Sequence, residues 1–270
     1  MTTTLRIGEY RSLATLPYFF PLRHLFREPN WVFLQTAPHE LEAALDKGEL
    51  DLALVSPSAL IQNPLDYLIF PDLGLAARGH VRDILFFSDM LLEDLDEMTV
   101  SVENGFSIAQ NIVRLVLGRY LQYQNQFISG WGNAEAYVLT GDAALRERIL
   151  ARYAYVYDLG DLWRHYTGKA MIYYLWVVRK DALREKKALL SLFYRRLKQA
   201  LEYSLADWSR LAGMVQGYEW LKRTMIVQLW TQLEYQLQPP HFEGLLRYYE
   251  DCAEFSLLDE PPDLEYFEPD

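Results

Sequence analysis

The chain has 270 residues, half of them hydrophobic and 14% aromatic, which is enough for one large domain or two lobes with real cores and too apolar for disorder. Its formal charge of −11, from 26 basic and 37 acidic residues with no basic stripe, excludes a nucleic-acid binder. The single cysteine, Cys252, excludes internal disulfides and cysteine-based zinc clusters, and no run of about 18 apolar residues is present to span a membrane.

The first residues, MTTTLRIGEY, lack a basic region followed by an apolar run, so a signal peptide is not expected and the cytoplasm is the expected compartment. Leu5 to Ile7 reads as a short strand, Gly8 to Thr15 as a polar loop, and Pro17 opens an apolar segment to about Phe26. A strand over Trp31 to Gln35 leads to Pro38, which suits a first helical turn. Leu41, Ala44 and Leu45 then share one face, and Gly48 ends the helix. Asp51 to Val55 is a short buried-type strand, followed by Ser56-Pro57-Ser58 and a brief helix. Strand–helix alternation of this kind predicts a mainly parallel sheet.

His80 to Ser88, apolar in its second half, reads as strand, and Met98 to Val102 as another. Ser107 opens a helix striped by Ile108, Ile112, Leu115 and Val116. Ala136 to Leu139 is strand, Thr140-Gly141-Asp142 a turn, and a short helix starts at Ala143. Tyr153 to Tyr157 is strand, Leu159 to Thr167 a helix closed by Gly168, and Ala170 to Arg179 a long apolar strand. From Asp181 the pattern is helical. One run covers about Tyr218 to Leu237 and is broken by Pro239-Pro240, and a last helix spans about Phe242 to Phe255. The acidic, proline-containing end, DEPPDLEYFEPD, reads as a loose tail or a docking strip.

These elements predict an α/β protein of two lobes with a hinge and an interlobe cleft that holds a small anionic molecule. Lobe one is 1–90 with 180–270, lobe two is 91–179, and the strands near 80–88 and 170–179 are the crossovers. No pair among His24, His39, His80, His165 and His241 has a metal-ligand spacing, so no metal is expected. There is no GxSxG elbow, GxGxxG or phosphate-binding Walker loop, and Cys252 reads as a packing residue. The remaining polar features are turns after strands, where ligands bind in open parallel sheets. They are Glu9 to Thr15, Ser56 to Ser58, Arg82-Asp83, Asn104 to Ser107 and Thr140 to Asp142. Ser107, at a helix start, is either an ordinary N-cap or an anion-facing hydroxyl. Gly141-Asp142 is a ligand loop or a simple turn.

In chain order, RIGEYRSLATLPYF, LEAALDKGELDLALVSPSALIQNP, PDLGLAARGHVRDILFFS, VSVENGFSIAQNIVRLVL, TGDAALRERI and YVYDLGDLWRHYTGKAMIYYLWVVRKDAL resemble the MqnA/MqnD family of menaquinone biosynthesis, on its chorismate dehydratase side. The resemblance implies a type II periplasmic-binding-protein-like fold working in the cytoplasm, without cofactor, as a monomer or homodimer. It implies a lyase of the futalosine pathway that removes water from chorismate to give 3-[(1-carboxyvinyl)oxy]benzoate. The site it implies has Asp83 and Thr15 in the chemistry, with Ser12, Ala14, Ser56, Ser58, Arg82, Asn104, Phe106, Ser107, Gly141 and Asp142 around the substrate.

Three positions depart from the family pattern: Ala14 stands where an Asn is expected, Asp83 where a Ser is expected, and Phe106 where a Thr is usual. Alanine donates no hydrogen bond. A carboxylate about 4 Å from an anionic substrate costs roughly 4 kcal/mol at an effective dielectric near 20, unless Arg82 pairs with it or it serves as a general base. The alternative is a non-catalytic or substrate-switched small-molecule binder of the same fold.

Overall fold

The structure, a computed structural model, describes residues 3–62, 66–102, 107–130 and 132–269. The strands are β1 (Leu5–Glu9), β2 (Trp31–Gln35), β3 (Leu52–Val55), β4 (Tyr67–Ala77), β5 (Ile84–Ser88), β6 (Thr99–Val102), β7 (Gln126–Ser129), β8 (Ala136–Thr140), β9 (Tyr155–Asp158), β10 (Met171–Arg179) and β11 (Glu234–Gln236). The helices are α1 (Leu16–His24), α2 (Pro38–Asp46), α3 (Ala59–Gln62), α4 (Ile108–Arg114), α5 (Gly141–Leu150), α6 (Leu159–Thr167), α7 (Lys180–Ala206), α8 (Trp208–Met214), α9 (Arg223–Gln232) and α10 (Pro239–Glu254). Contacts divide the chain into unit 1 (Met1–Leu75, Tyr174–Leu237 and Asp263–Asp270) and unit 2 (Ala76–Tyr173 and Gln238–Pro262).

In unit 1 the strand order is β11-β4-β10-β3-β1-β2. β1 lies parallel to β2 and to β3, whereas β10 runs antiparallel to β3. Every residue of Leu52–Val55 is buried, as an apolar run without alternation predicts for a strand covered on both faces. α1 lays Tyr18, Phe19 and Leu22 into the core. Phe19 and Phe193 each pack 5.3 Å from the Trp176 ring, and Trp31 packs 5.1 Å from Phe193. The Tyr18 hydroxyl donates to the Tyr235 carbonyl at 2.6 Å and accepts from Gly74 N–H at 3.1 Å, so its burial leaves no lost hydrogen bond.

In unit 2 the order is β7-β6-β8-β5-β9. β6 is parallel to β7 and β8, while β5 is antiparallel to both β8 and β9. Leu85, Phe87, Leu139 and Ala144 form a core patch, with Tyr153 against it.

Several expectations are corrected. Both sheets are mixed rather than mainly parallel. The first crossover is β4, an eleven-residue strand whose Pro71, Asp72 and Gly74 break the apolar pattern that would reveal it. β10 is the second crossover, and both strands run from one unit into the other. Residues 238–262, expected in lobe one, belong to unit 2: Gly244 of α10 sits so close to Ala170 that an added Cβ would lie 1.8 Å from its carbonyl oxygen. The 218–237 run is helix only over α9 and ends in β11. Pro239 and Pro240 occupy the first turn of α10, where missing N–H groups cost nothing, so they start a helix as well as stop a run. The acidic tail is docked. Phe267 is buried against Phe70 and Tyr194, and Ile69 donates its N–H to the Glu265 carbonyl and accepts from Phe267 N–H, both at 2.9 Å. No helix among the described residues is long and apolar enough to cross a membrane.

Candidate functional site

The polar turns singled out from the sequence collect at one sheet edge in each unit. In unit 1, β1 and β3 are parallel neighbours, so the loops after Glu9 and after Val55 leave the same edge. Residues 13–15 form one 3-10 turn. Thr15 Oγ1 accepts from Ser12 N–H at 3.3 Å and donates to the Tyr10 carbonyl at 2.7 Å, which makes Thr15 a loop brace. Two distant side chains hold the carbonyls of this turn: Trp230 Nε1–H donates to Leu13 and the Tyr235 hydroxyl to Ala14, at 2.7 and 2.9 Å. Ala14 is buried, with only a methyl group to offer. Ser12 is 1% exposed, and its Oγ has no hydrogen-bond partner among the described residues. A buried hydroxyl in that condition has lost its water without replacement, which suits one more partner. Ser56 and Ser58 are buried and bonded to each other, with Ser56 Oγ 3.2 Å from Ser58 Oγ and 3.3 Å from Ser58 N.

In unit 2, Asp83 precedes β5, Gly141 follows β8, and Ser107 follows β6. The pairing of Ile84 with Thr140 and of Val100 with Ala136 places all three at one edge. Gly141 N–H donates to the Asp83 carbonyl at 2.6 Å, and Gly141 has a φ of 57°, the left-handed region that glycine enters without penalty. Ser107 is an N-cap, accepting from Gln110 N–H at 3.3 Å, as the plainer expectation had it. Asn104 and Phe106 lie outside the described residues.

Asp83 is 5% exposed. Burial, followed by the nearby carboxylates of Asp158 and Asp142, raises its pKa to about 8, which favours the protonated form near neutral pH. That changes the expectation of a repulsive carboxylate or a resting general base: an uncharged Asp83 donates a proton or a hydrogen bond. Arg82 lies in the left-handed region, with φ 67°, and its charge acts on Asp161. The predicted strand over His80 to Asp83 is a turn because Asp158 captures it. Val81 and Arg82 donate their N–H groups to the Asp158 carboxylate at 3.1 and 2.8 Å. The same carboxylate caps α6 by accepting from Gly160 N–H at 2.9 Å.

Sequence reasoning missed Asp158 and Tyr173. An Asp before a helix signals an N-cap, but nothing local reports its reach back to Val81. The Tyr173 hydroxyl is fully buried without a partner among the described residues. Burial, and then the carboxyl groups of Asp158, Asp83 and Asp161, hold it well above the usual tyrosine range. His80 Nδ1 contacts Asp161, and with Asp158 the donor atoms lie within 4.8 Å of one another, a grouping that sequence spacing concealed. Asp158 is already committed to three N–H groups, and Arg82 and Arg148 line the same hollow of about 180 Å³. These residues fit a capped turn with an ion pair.

A mixed sheet with polar turns gathered at strand ends fits the periplasmic-binding-protein fold, and solved structures of that class match. A Candida albicans protein described as having the generic periplasmic binding protein fold aligns over 100% of this chain and 99% of its own, with a TM-score of 0.72 at 11% identity. The aliphatic sulphonate binding protein SsuA of Escherichia coli aligns over 100% and 94%, with a TM-score of 0.69 at 14% identity. Residues 5–254 match the model of a family described as menaquinone biosynthesis, and the chain belongs to that family. A Thermus thermophilus protein named chorismate dehydratase is 24% identical over 257 residues, covering 85% of this chain and 90% of its own.

Proposed function

We propose that this chain is a dehydratase acting on chorismate or a close hydroxylated carboxylate, in the futalosine route to menaquinone, with Asp83 as its acid. The family and the Thermus relative support the substrate class. The observation that carries the role of Asp83 is its burial at the edge where β5 and β8 meet their turns, beside Asp158 and Asp142, which together raise its pKa to about 8. The Asp83 proton goes to the departing ring hydroxyl as the C–O bond breaks, and water leaves. The electron pair of the neighbouring ring C–H bond completes the aromatic ring, and that proton returns to the Asp83 carboxylate. Aromatisation drives the step, and burial strengthens each interaction inside the site.

Incubating the purified chain with chorismate and following 3-[(1-carboxyvinyl)oxy]benzoate by chromatography tests this. Product above the spontaneous background, lost in Asp83→Asn, is expected; none above background removes the reading. Ala14 favours a second one. Its methyl group cannot hold a substrate oxygen, which suits a binder or an enzyme with a switched substrate. A thermal-shift response to small carboxylates without chorismate turnover supports that alternative.

A further inference from the structure

Unit 1 has a hollow toward the end of its sheet opposite the candidate ligand turns. β1 and β2 run parallel, with Leu5 against Trp31 and Glu9 against Gln35, so Trp31 stands where the strands begin, whereas the Glu9–Thr15 turn leaves where β1 finishes. The hollow has a volume of about 500 Å³. It is lined by Arg23 and His24 of α1, Arg27 of the loop that follows, and Trp31, Val32 and Phe33 of β2. β2 is the outer strand of its sheet among the described residues, so no further strand covers this side.

The lining is one-sided: it contains basic side chains and no acidic one. Arg23 and His24 sit in the last turn of α1, where basic groups complement the carbonyl end of the helix, and Arg23 Nε also lies 3.0 Å from Glu9 Oε2. Arg27 has no such role. It is exposed beyond the helix and takes part in no hydrogen bond or ion pair among the described residues. Trp31 is a second and independent mark. Its side chain is 4% exposed, packed 5.1 Å from the Phe193 ring, and its Nε1–H has no acceptor among the described residues. A buried N–H in that condition has lost water without replacement, and a ligand oxygen restores the bond. Indole and guanidinium groups only donate, so the missing partner is an acceptor with several oxygens. The fork of a guanidinium matches phosphate oxygens, and Arg23 is steadied over the Phe33 ring, 5.2 Å from its centroid. The hollow is larger than a bare phosphate, and Val32 and Phe33 add apolar surface for an organic group.

We propose that this hollow binds a small phosphomonoester. The phosphate oxygens accept from Arg23, Arg27 and Trp31 Nε1–H, and the organic group packs on Val32 and Phe33. The site stands apart from the Asp83 chemistry and holds whether or not the chain turns over chorismate.

Calorimetric titration of the full chain with phenyl phosphate, inorganic phosphate and phenol tests it. One equivalent of phenyl phosphate should bind, with inorganic phosphate about tenfold weaker for want of the apolar contact, and phenol should not bind. Arg27→Gln, at an exposed position, should weaken phenyl phosphate about tenfold, the size of one lost charge-assisted hydrogen bond, with an unchanged melting curve and unchanged chorismate turnover where the parent has any. In nitrogen-15 spectra the Trp31 indole N–H, identified by its loss in Trp31→Phe, should shift as phenyl phosphate is added. Should Trp31→Phe fail to fold, Arg27→Gln decides alone. No binding up to millimolar phenyl phosphate, equal affinity for phenyl and inorganic phosphate, indifference to Arg27→Gln, or an unmoved Trp31 signal each overturns the assignment.

Discussion

Replacing Asp83 with Asn removes a titrating group from a buried place and nearly preserves its shape. In the folded chain the Asp83 pKa is about 8 against 3.8 for an exposed carboxyl. Below about pH 4 both folded and unfolded chains hold the proton, and Asp83 adds no pH dependence. Between about pH 4 and 8 the unfolded chain ionises while the folded chain keeps its proton, so stability falls with rising pH by up to about 1.4 kcal/mol per unit. By pH 7 the ceiling is about 4 kcal/mol. Asn has no such dependence, so the variant should gain on the parent as pH rises. After local relaxation around the charge, a relative gain of about 1–2 kcal/mol between pH 5 and 8 is expected. Urea unfolding followed by circular dichroism at several pH values measures it, and the carbon-13 shift of labelled Asp carboxyls reports the titration directly. Parallel stability curves for parent and variant, with a carboxyl titrating near 4, would refute the argument.

Dehydratase turnover, where present, should fall as pH rises through about 8, because the acid form of Asp83 is spent; a rate that climbs across that range removes Asp83 as the proton donor. Where the parent shows no chorismate turnover, combining Ala14→Asn with Asp83→Ser restores the family pattern and should create it in the same chromatographic assay; where Asp83 is the acid, the double variant should instead lose turnover. Gly160→Ala should destabilise by about 3 kcal/mol or more, seen in the melting temperature, since the added Cβ would lie 2.1 Å from the Gly79 carbonyl oxygen. Phe267→Ala should lose about 3 kcal/mol in denaturant unfolding, because its ring is buried against Phe70 and Tyr194; an unchanged midpoint would mean that the tail is not docked in solution.

Much of the fold was legible locally. The apolar run Leu52–Val55, the proline-started α2 and the Gly168 stop of α6 each rest on periodicity or capping within a few residues. β4 escaped because Pro71 and Asp72 look like punctuation. The tail escaped because Phe267 is a single aromatic among acids, and its burial depends on Phe70 and Tyr194, far away in sequence. Of the candidate site, Ser12, Ser56, Ser58, Gly141 and Asp142 were found as turns after strands, whereas Asp158 and Tyr173 carried no local mark that set them apart.

The sequence by itself determined the α/β class, the family and the positions of most turns, because these follow from side-chain period, capping residues and motif order along the chain. Only the tertiary structure decided the state of Asp83. Its proton is held by burial and by two other aspartates brought to the same edge, one of them Asp158, which reaches back 76 positions to bond Arg82. Charge on a buried carboxyl depends on the solvent it has lost and the neighbours it has gained, and neither is written in the residues beside it.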